Sequence, residues 1–321
     1  MNWPGNAEGC YNITTTKEAP SLIPDYPKIA FIGFGEAAQA FAQGLRDSTT
    51  SLNITGFDIK TDGPNAQQKR AEMAVLDVTP ARTPTQCIHG ADLIISLVTA
   101  DQSETAASQL AEAAFEGALF FDGNSCAPET KRRTADIITA AGGRYVDVAI
   151  MAPVHPRLHK TPCLFSGTWA PDALQMALHL GMAAEIAGPD IGAASMRKML
   201  RSIMIKGLEA LTLECFLAAR RAGQEPYVLA SLEASFPGFN WAERAPYMLE
   251  RAMTHGVRRA AEMREVAQTL RDLDLSADMA TATANHQQTV GDLGLDASAL
   301  DDQSLETMTD AILAALPQPK T

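Results

Sequence analysis

From Lys28 onward, short apolar runs rich in Val, Ile and Phe alternate with Ala-rich segments whose apolar positions recur at helical spacing, which is the signature of βαβ units. The pattern predicts strands at Lys28–Ile32, Asn53–Asp58, Leu93–Val98, Leu119–Asp122, Arg144–Ile150, Pro162–Ser166 and Ala184–Ala187. It predicts helices between them at Glu36–Arg46, Asn65–Glu72, Glu104–Ala114, Pro128–Ala141 and Pro171–Gly181. The strand segments are continuously apolar rather than alternating, so both faces of a largely parallel sheet are expected to be covered. Strand signals stop near Gly188–Gly192. A long helical pattern then runs from Ala193 to Ala222, with Met196, Leu200, Ile203, Gly207 and Leu211 on one stripe. Further helical stretches follow near 227–235, 243–273, 276–290 and 303–315.

The expected fold class is α/β: a Rossmann-type, doubly wound, mostly parallel sheet followed by an all-α C-terminal domain. The expected boundaries are a loose extension over 1–27, an α/β domain over 28–191 and a helical domain over 192–321. Two domains also suit 321 residues. Hydrophobic residues at 46% and charged residues at 20% describe a folded globular chain and exclude disorder. A net charge of −12 has the wrong sign for nucleic acid or an anionic membrane surface. The five cysteines form no C-x-x-C pair, which fits reduced thiols in the cytoplasm, and neither an export signal nor a transmembrane-length apolar run is visible.

The first strand runs into Gly33-Phe34-Gly35-Glu36-Ala37-Ala38 and a helix, giving G-x-G-x-x-A in a strand–turn–helix setting. Gly33 allows the tight turn, Gly35 leaves room for a pyrophosphate beside the backbone, and Ala38 lets the helix pack on the strand. The helix N-terminus adds free N–H groups and a positive dipole end. The next strand ends at Asp58, 25 residues past Gly33, where a carboxylate accepts ribose hydroxyls. The alternative is a tight turn without ligand. Asp58 repels a 2′-phosphate and favours NAD, while Lys60 and Arg70 offset that preference toward NADP. Val98 and Thr99, at the end of the strand Leu93–Val98, are expected beside the nicotinamide.

Gly123-Asn124-Ser125-Cys126-Ala127-Pro128 opens another helix at the same sheet edge, where Ser125 can hold a substrate carboxylate with help from helix amides. Alternatively, Asn124 or Ser125 is only a helix cap. A sharper rival is a G-x-S-x-A nucleophile elbow, which would make a serine hydrolase with one of the later histidines. His155 and His159 have metal-ligand spacing, but Pro153 and Pro156 interrupt any helix there, so no metal is expected. His155 and Arg157 remain placed to touch an anion. On the long helix, Lys198 and Ser202 are four residues apart beside Arg201, and a lysine there with a lowered pKa can exchange a proton with a substrate oxygen. The default for such a helix is a solvated face. Lys206 and Glu209 continue the stripe. The segment Phe236–Trp241 is either a packed corner or an aromatic wall for the substrate, and His255, Arg258 and Arg259 share a helix face able to hold an anion.

The ordered combination G-x-G-x-x-A, H-G-A-D-L-I-I-S-L-V, F-D-G-N-S, Y-V-D-V-A-I-M-A-P and G-x-A-x-x-x-K-x-x-x-S resembles the β-hydroxyacid dehydrogenase / 6-phosphogluconate dehydrogenase superfamily over about residues 28–215. The resemblance implies homodimers, a Rossmann-type domain and a catalytic lysine at Lys198. Three departures stand out. Ser202 occupies the place of the usual Asn, Asp147–Pro153 lacks the usual paired glycines, and Glu36-Ala37 replaces Met-Gly. The residues from Arg251 onward look like an uncharacterised helical module. The expected activity is NAD(P)-dependent hydride transfer to or from a hydroxyl-bearing, 3-hydroxyacid-like anion. The expected contacts are Gly33, Phe34, Gly35, Glu36, Ala37, Asp58, Lys60, Val98 and Thr99 for cofactor, and Ser125, Met151, Arg201, Ser202, Trp241, His255 and Arg258 for substrate. Alternatives are an imine reductase on the same scaffold and a non-catalytic dinucleotide sensor.

Overall fold

The structure is a computed structural model and describes residues 23–48, 51–113 and 115–317, so most of the expected N-terminal extension lies outside the described residues. The first part of the chain comprises β1 Ile29–Ile32, α1 Glu36–Ser48, β2 Ile54–Phe57, α2 Ala66–Val75, β3 Thr79–Pro80, α3 Pro84–Ile88, β4 Leu93–Ser96, α4 Ser103–Leu110, β5 Leu119–Asp122, α5 Pro128–Ala140, β6 Arg144–Ile150, β7 Cys163–Ser166, α6 Ala170–His179 and β8 Ala184–Gly188. The remainder is helical: α7 Ala193–Arg221, α8 Glu225–Ser235, α9 Trp241–Asp272, α10 Asp278–Gly291 and α11 Leu305–Ala315.

The eight strands form one sheet in the order β3-β2-β1-β4-β5-β6-β7-β8. Every pairing is parallel except β6 with β7, which is antiparallel. That pair is joined by Met151–Pro162, which Pro153 and Pro156 interrupt and which forms only a 3₁₀ turn, so no crossover helix carries the chain back and β7 returns antiparallel alongside β6. β3 carries no apolar run, which is why periodicity does not find it. Strand order reverses between β1 and β4, and ligands bind outside the carboxyl ends at such a switch point.

Both sheet faces are covered. Phe31, Phe34, Phe41, Phe121 and Phe165 fill one layer, and Ile32, Ile94, Phe120, Ile138 and Tyr145 fill the other. Helices α7, α9, α10 and α11 enclose separate cores around Leu213, Phe216 and Leu249 and around Met199, Met263 and Val266. Among the described residues no helix is long and apolar enough to cross a membrane.

Candidate active site

A cavity of about 1790 Å³ lies between the carboxyl edge of the sheet and the facing sides of α7 and α9. At one edge is the glycine-rich turn. Gly33 has φ +81°, and a Cβ there would come within 2.5 Å of the Leu97 carbonyl oxygen, so only glycine fits without strain. A Cβ on Gly35 would meet nothing within 4 Å, which leaves open space where the backbone faces the cavity. Gly35, Glu36 and Ala37 line the cavity, as do Val98 and Thr99.

Gly33, Phe34, Asp58 and Lys60 do not line it. The Phe34 ring is fully buried in the sheet core, so this residue offers only backbone to a ligand. Its N–H donates to Asp58 Oδ2 at 2.8 Å, and Lys60 N–H donates to Asp58 Oδ1 at 2.9 Å. Asp58 therefore ties the end of β2 to the glycine turn. Arg70 donates to the Thr61 carbonyl at 2.7 Å and is held by that bond.

Asn124 organises the next two loops. Its Oδ1 accepts from Val98 N–H at 2.7 Å while its Nδ2 donates to Ser96 and Ser103 hydroxyls at 3.1 Å each. Ser125 is left on the cavity wall, its Oγ enclosed and without a hydrogen-bond partner. The elbow reading needs a base within hydrogen-bond reach of that hydroxyl, and none is there among the described residues. Burial pushes the Cys126 thiol up to about 12, which removes it as a nucleophile at neutral pH. His155 and Arg157 line the cavity, and His159 is buried in a 3₁₀ turn.

Helix α7 brings Lys198, Arg201, Ser202 and Lys206 to the opposite wall, facing Met151. Its start is fixed by a buried polar cluster. Asp147 on β6 accepts from Ser195 N–H at 3.0 Å and from Ser195 Oγ at 2.5 Å. Lys131, fully buried, pairs with Asp122 at 2.9 Å and Asp147 at 3.5 Å, and Tyr145 donates to Asp122 at 2.7 Å. Burial lowers the Lys198 pKa to about 8, against the pull of Glu262 and with help from Lys206 and Lys131. Lys206 forms an ion pair with Glu262. Burial alone would raise the Glu262 pKa, but Lys206 and Lys198 overrule it and hold it at about 2.

Helix α9 closes the cavity with His255, Arg258, Arg259, Glu262 and Glu265. Glu265 Oε2 accepts from Ala127 N–H at 2.7 Å, so a carboxylate of the protein already sits at the start of α5. This corrects the expectation that those amides help Ser125 hold a substrate carboxylate. Trp241 is corrected as well. It is 6% exposed, sets its ring tilted against Phe239 with centroids 4.4 Å apart, and packs in the helical core rather than on the cavity wall. Phe239 reaches the wall instead, with Arg244 over its ring at 4.6 Å. Glu262 and Glu265 were not singled out as site residues from sequence. Their spacing with Arg258 along one face of α9 is the signal that could have found them.

Residues 28–156 match the NAD-binding domain of 6-phosphogluconate dehydrogenase, and residues 219–290 match a domain of unknown function, DUF1932. A conserved hypothetical protein from Sinorhizobium meliloti 1021 is 35% identical, with 90% of this chain and 97% of that chain covered and a TM-score of 0.67. The chain belongs to the β-hydroxyacid dehydrogenase / 6-phosphogluconate dehydrogenase superfamily. Another solved relative, a conserved protein of unknown function described as structurally similar to 3-hydroxyacid dehydrogenases, is 29% identical over 83% of this chain and 97% of its own, with a TM-score of 0.62. The 3-hydroxyisobutyrate dehydrogenase of Pseudomonas aeruginosa is 26% identical over 67% of this chain and 71% of that protein. The superfamily's nicotinamide dinucleotide fits the residues present: the open space at Gly35 and the amides at the start of α1 suit its pyrophosphate.

Proposed function

We propose that the protein is an NAD(P)-dependent oxidoreductase that transfers hydride to or from a hydroxyl-bearing, anionic, 3-hydroxyacid-like substrate. The observation that carries this reading is Lys198, held on the cavity wall with its pKa lowered to about 8. The nicotinamide supplies or accepts the hydride at the substrate carbon. In the oxidative direction neutral Lys198 takes the hydroxyl proton as the C–H bond gives up its hydride, and in the reductive direction protonated Lys198 returns it to the oxygen. The unpartnered Ser125 hydroxyl donates to the substrate, and Arg201, Ser202 and Met151 bound its pocket. Asp58 favours NAD over NADP. The free thiols of Cys87, Cys126, Cys163 and Cys215 suit a cytoplasmic setting. Leu200, Met204 and Leu211, exposed along α7, suit a homodimer that covers them.

A second reading, imine reduction, is favoured by one observation: the amide that would greet a carboxylate beside Ser125 is occupied by Glu265. A cofactor-absorbance assay against hydroxyacids, hydroxyphosphonates and cyclic imines separates the readings. Turnover of a hydroxyacid supports the first, and turnover of imines alone supports the second. Cofactor binding with no turnover of any class returns the protein to a dinucleotide sensor.

A further inference from the structure

The basic residues of α9 are not grouped around Lys198. Arg258 Nη1 reaches across the cleft to Glu36 Oε2 at 3.4 Å, and Glu36 is the first residue of α1, immediately after Gly35. His255 and Arg251 stand three and seven residues back on the same face, and both line the cavity. Toward the other end of α9, Glu265 meets the start of α5 beside Ser125, seven residues or about 10 Å along the helix from Arg258. The helix therefore spans the cleft from the Ser125 loop to the glycine turn. Glu262 and Glu265 lie toward Lys198 and the Ser125 loop, whereas Arg258 reaches the turn.

We propose that Arg258, backed by His255 and Arg251, is the second wall of the pyrophosphate site, opposite the α1 amides, and that Glu36 holds Arg258 in place before the dinucleotide arrives. This rests on the dinucleotide reading above, and it reassigns Arg258 and His255 from substrate to cofactor. The Gly35–Ala37 backbone opens onto the space that Arg258 overlooks. Glu36 puts a negative charge at a helix N-terminus where a diphosphate would otherwise gain most, so a counter-cation is needed there. The Arg258–Glu36 pair is 43% and 41% exposed, and such a pair costs little to exchange for a phosphate, which takes two parallel N–H bonds from a guanidinium.

The test is a fluorescence titration of NADH and NADPH into the wild-type protein, Arg258→Ala, Arg258→Lys and Glu36→Gln, with ADP-ribose as competitor and a thermal melt of each variant. Arg258→Ala is expected to raise the Kd of the favoured dinucleotide about 10- to 100-fold, the scale of a lost charge-assisted hydrogen bond, and to weaken ADP-ribose in step. Arg258→Lys should recover part of the loss. Glu36→Gln should bind more tightly than wild type, because it frees the arginine and removes the repulsion. A merely structural ion pair would make Arg258→Ala and Glu36→Gln change in the same direction, and that result overturns the proposal. Unchanged Kd values with a raised KM for substrate overturn it in favour of a substrate role for Arg258. A wild-type chain that binds neither NADH nor NADPH overturns the dinucleotide reading itself, and this one with it.

Discussion

Asp147 and Ser195 join the two parts of the molecule: the carboxylate at the centre of β6 accepts both the N–H and the hydroxyl of a residue in the first turn of α7, at 3.0 and 2.5 Å. Lys198 follows three residues later. The aim of the lysine is thus set by a buried cap that reaches from the sheet rather than by a residue local to the helix, because Gly192 precedes α7 without a side chain to cap it. Asp147→Ala removes that cap and one of the two carboxylates facing Lys131. It is expected to lower stability by about 3 kcal/mol in denaturant unfolding, since breaking a buried pair strands a charge. Asp147→Asn keeps the shape and should lower kcat more than it lowers the melting temperature.

The pH dependence has a definite sign. Lys198 titrates near 8, so oxidation, which needs the neutral amine, is expected to rise with pH through about 8, and reduction, which needs the ammonium, to fall over the same range. Glu262 is the carboxylate that opposes this lowering. Glu262→Gln should therefore move both limbs to lower pH. The check is a pair of kcat profiles in the two directions, and an unmoved limb would separate Glu262 from the lysine.

Asp58 accepts from two backbone N–H groups, those of Phe34 and Lys60, and the proposed reading gives it the cofactor ribose as well. Asp58→Ala is expected to weaken NAD and to improve NADP relative to it, read by parallel titrations. Because both carboxylate oxygens also accept backbone N–H groups, the variant should lose about 1 kcal/mol of stability, the usual cost of a lost cap.

Trp241 belongs to the helical core. Trp241→Ala is expected to cost about 3–5 kcal/mol through the cavity it leaves, while KM for substrate in the folded fraction stays within about twofold. Melting curves alongside substrate saturation curves distinguish this from a pocket wall.

Local chemistry made the sheet and its turns legible. β1, β4 and β5 are apolar on both faces, and Gly33, Gly35 and Asp58 carry the strand–turn–helix fingerprint in the chain itself. Lys198 needed the position of its helix as well as its spacing, and the resemblance supplied that. What sequence did not reveal depends on packing between distant elements. Glu265 meets Ala127 across 138 positions and Arg258 meets Glu36 across more than two hundred, and no local period encodes which face of α9 turns toward the sheet. A Pro/Gly turn with aromatics favours a packed corner, the place Trp241 takes, but leaves a pocket wall open until its neighbours are known.

If Lys198 moves the proton in a dinucleotide-dependent reaction, kcat for Lys198→Ala, measured alongside its Kd for NADH and NADPH, reads that role without an intermediary. The variant is predicted to lose about 10²–10⁴-fold in kcat while binding the dinucleotide as tightly as wild type. A variant that retains near-normal kcat would contradict the account and shift the proton transfer to another group, with Lys206 first in line.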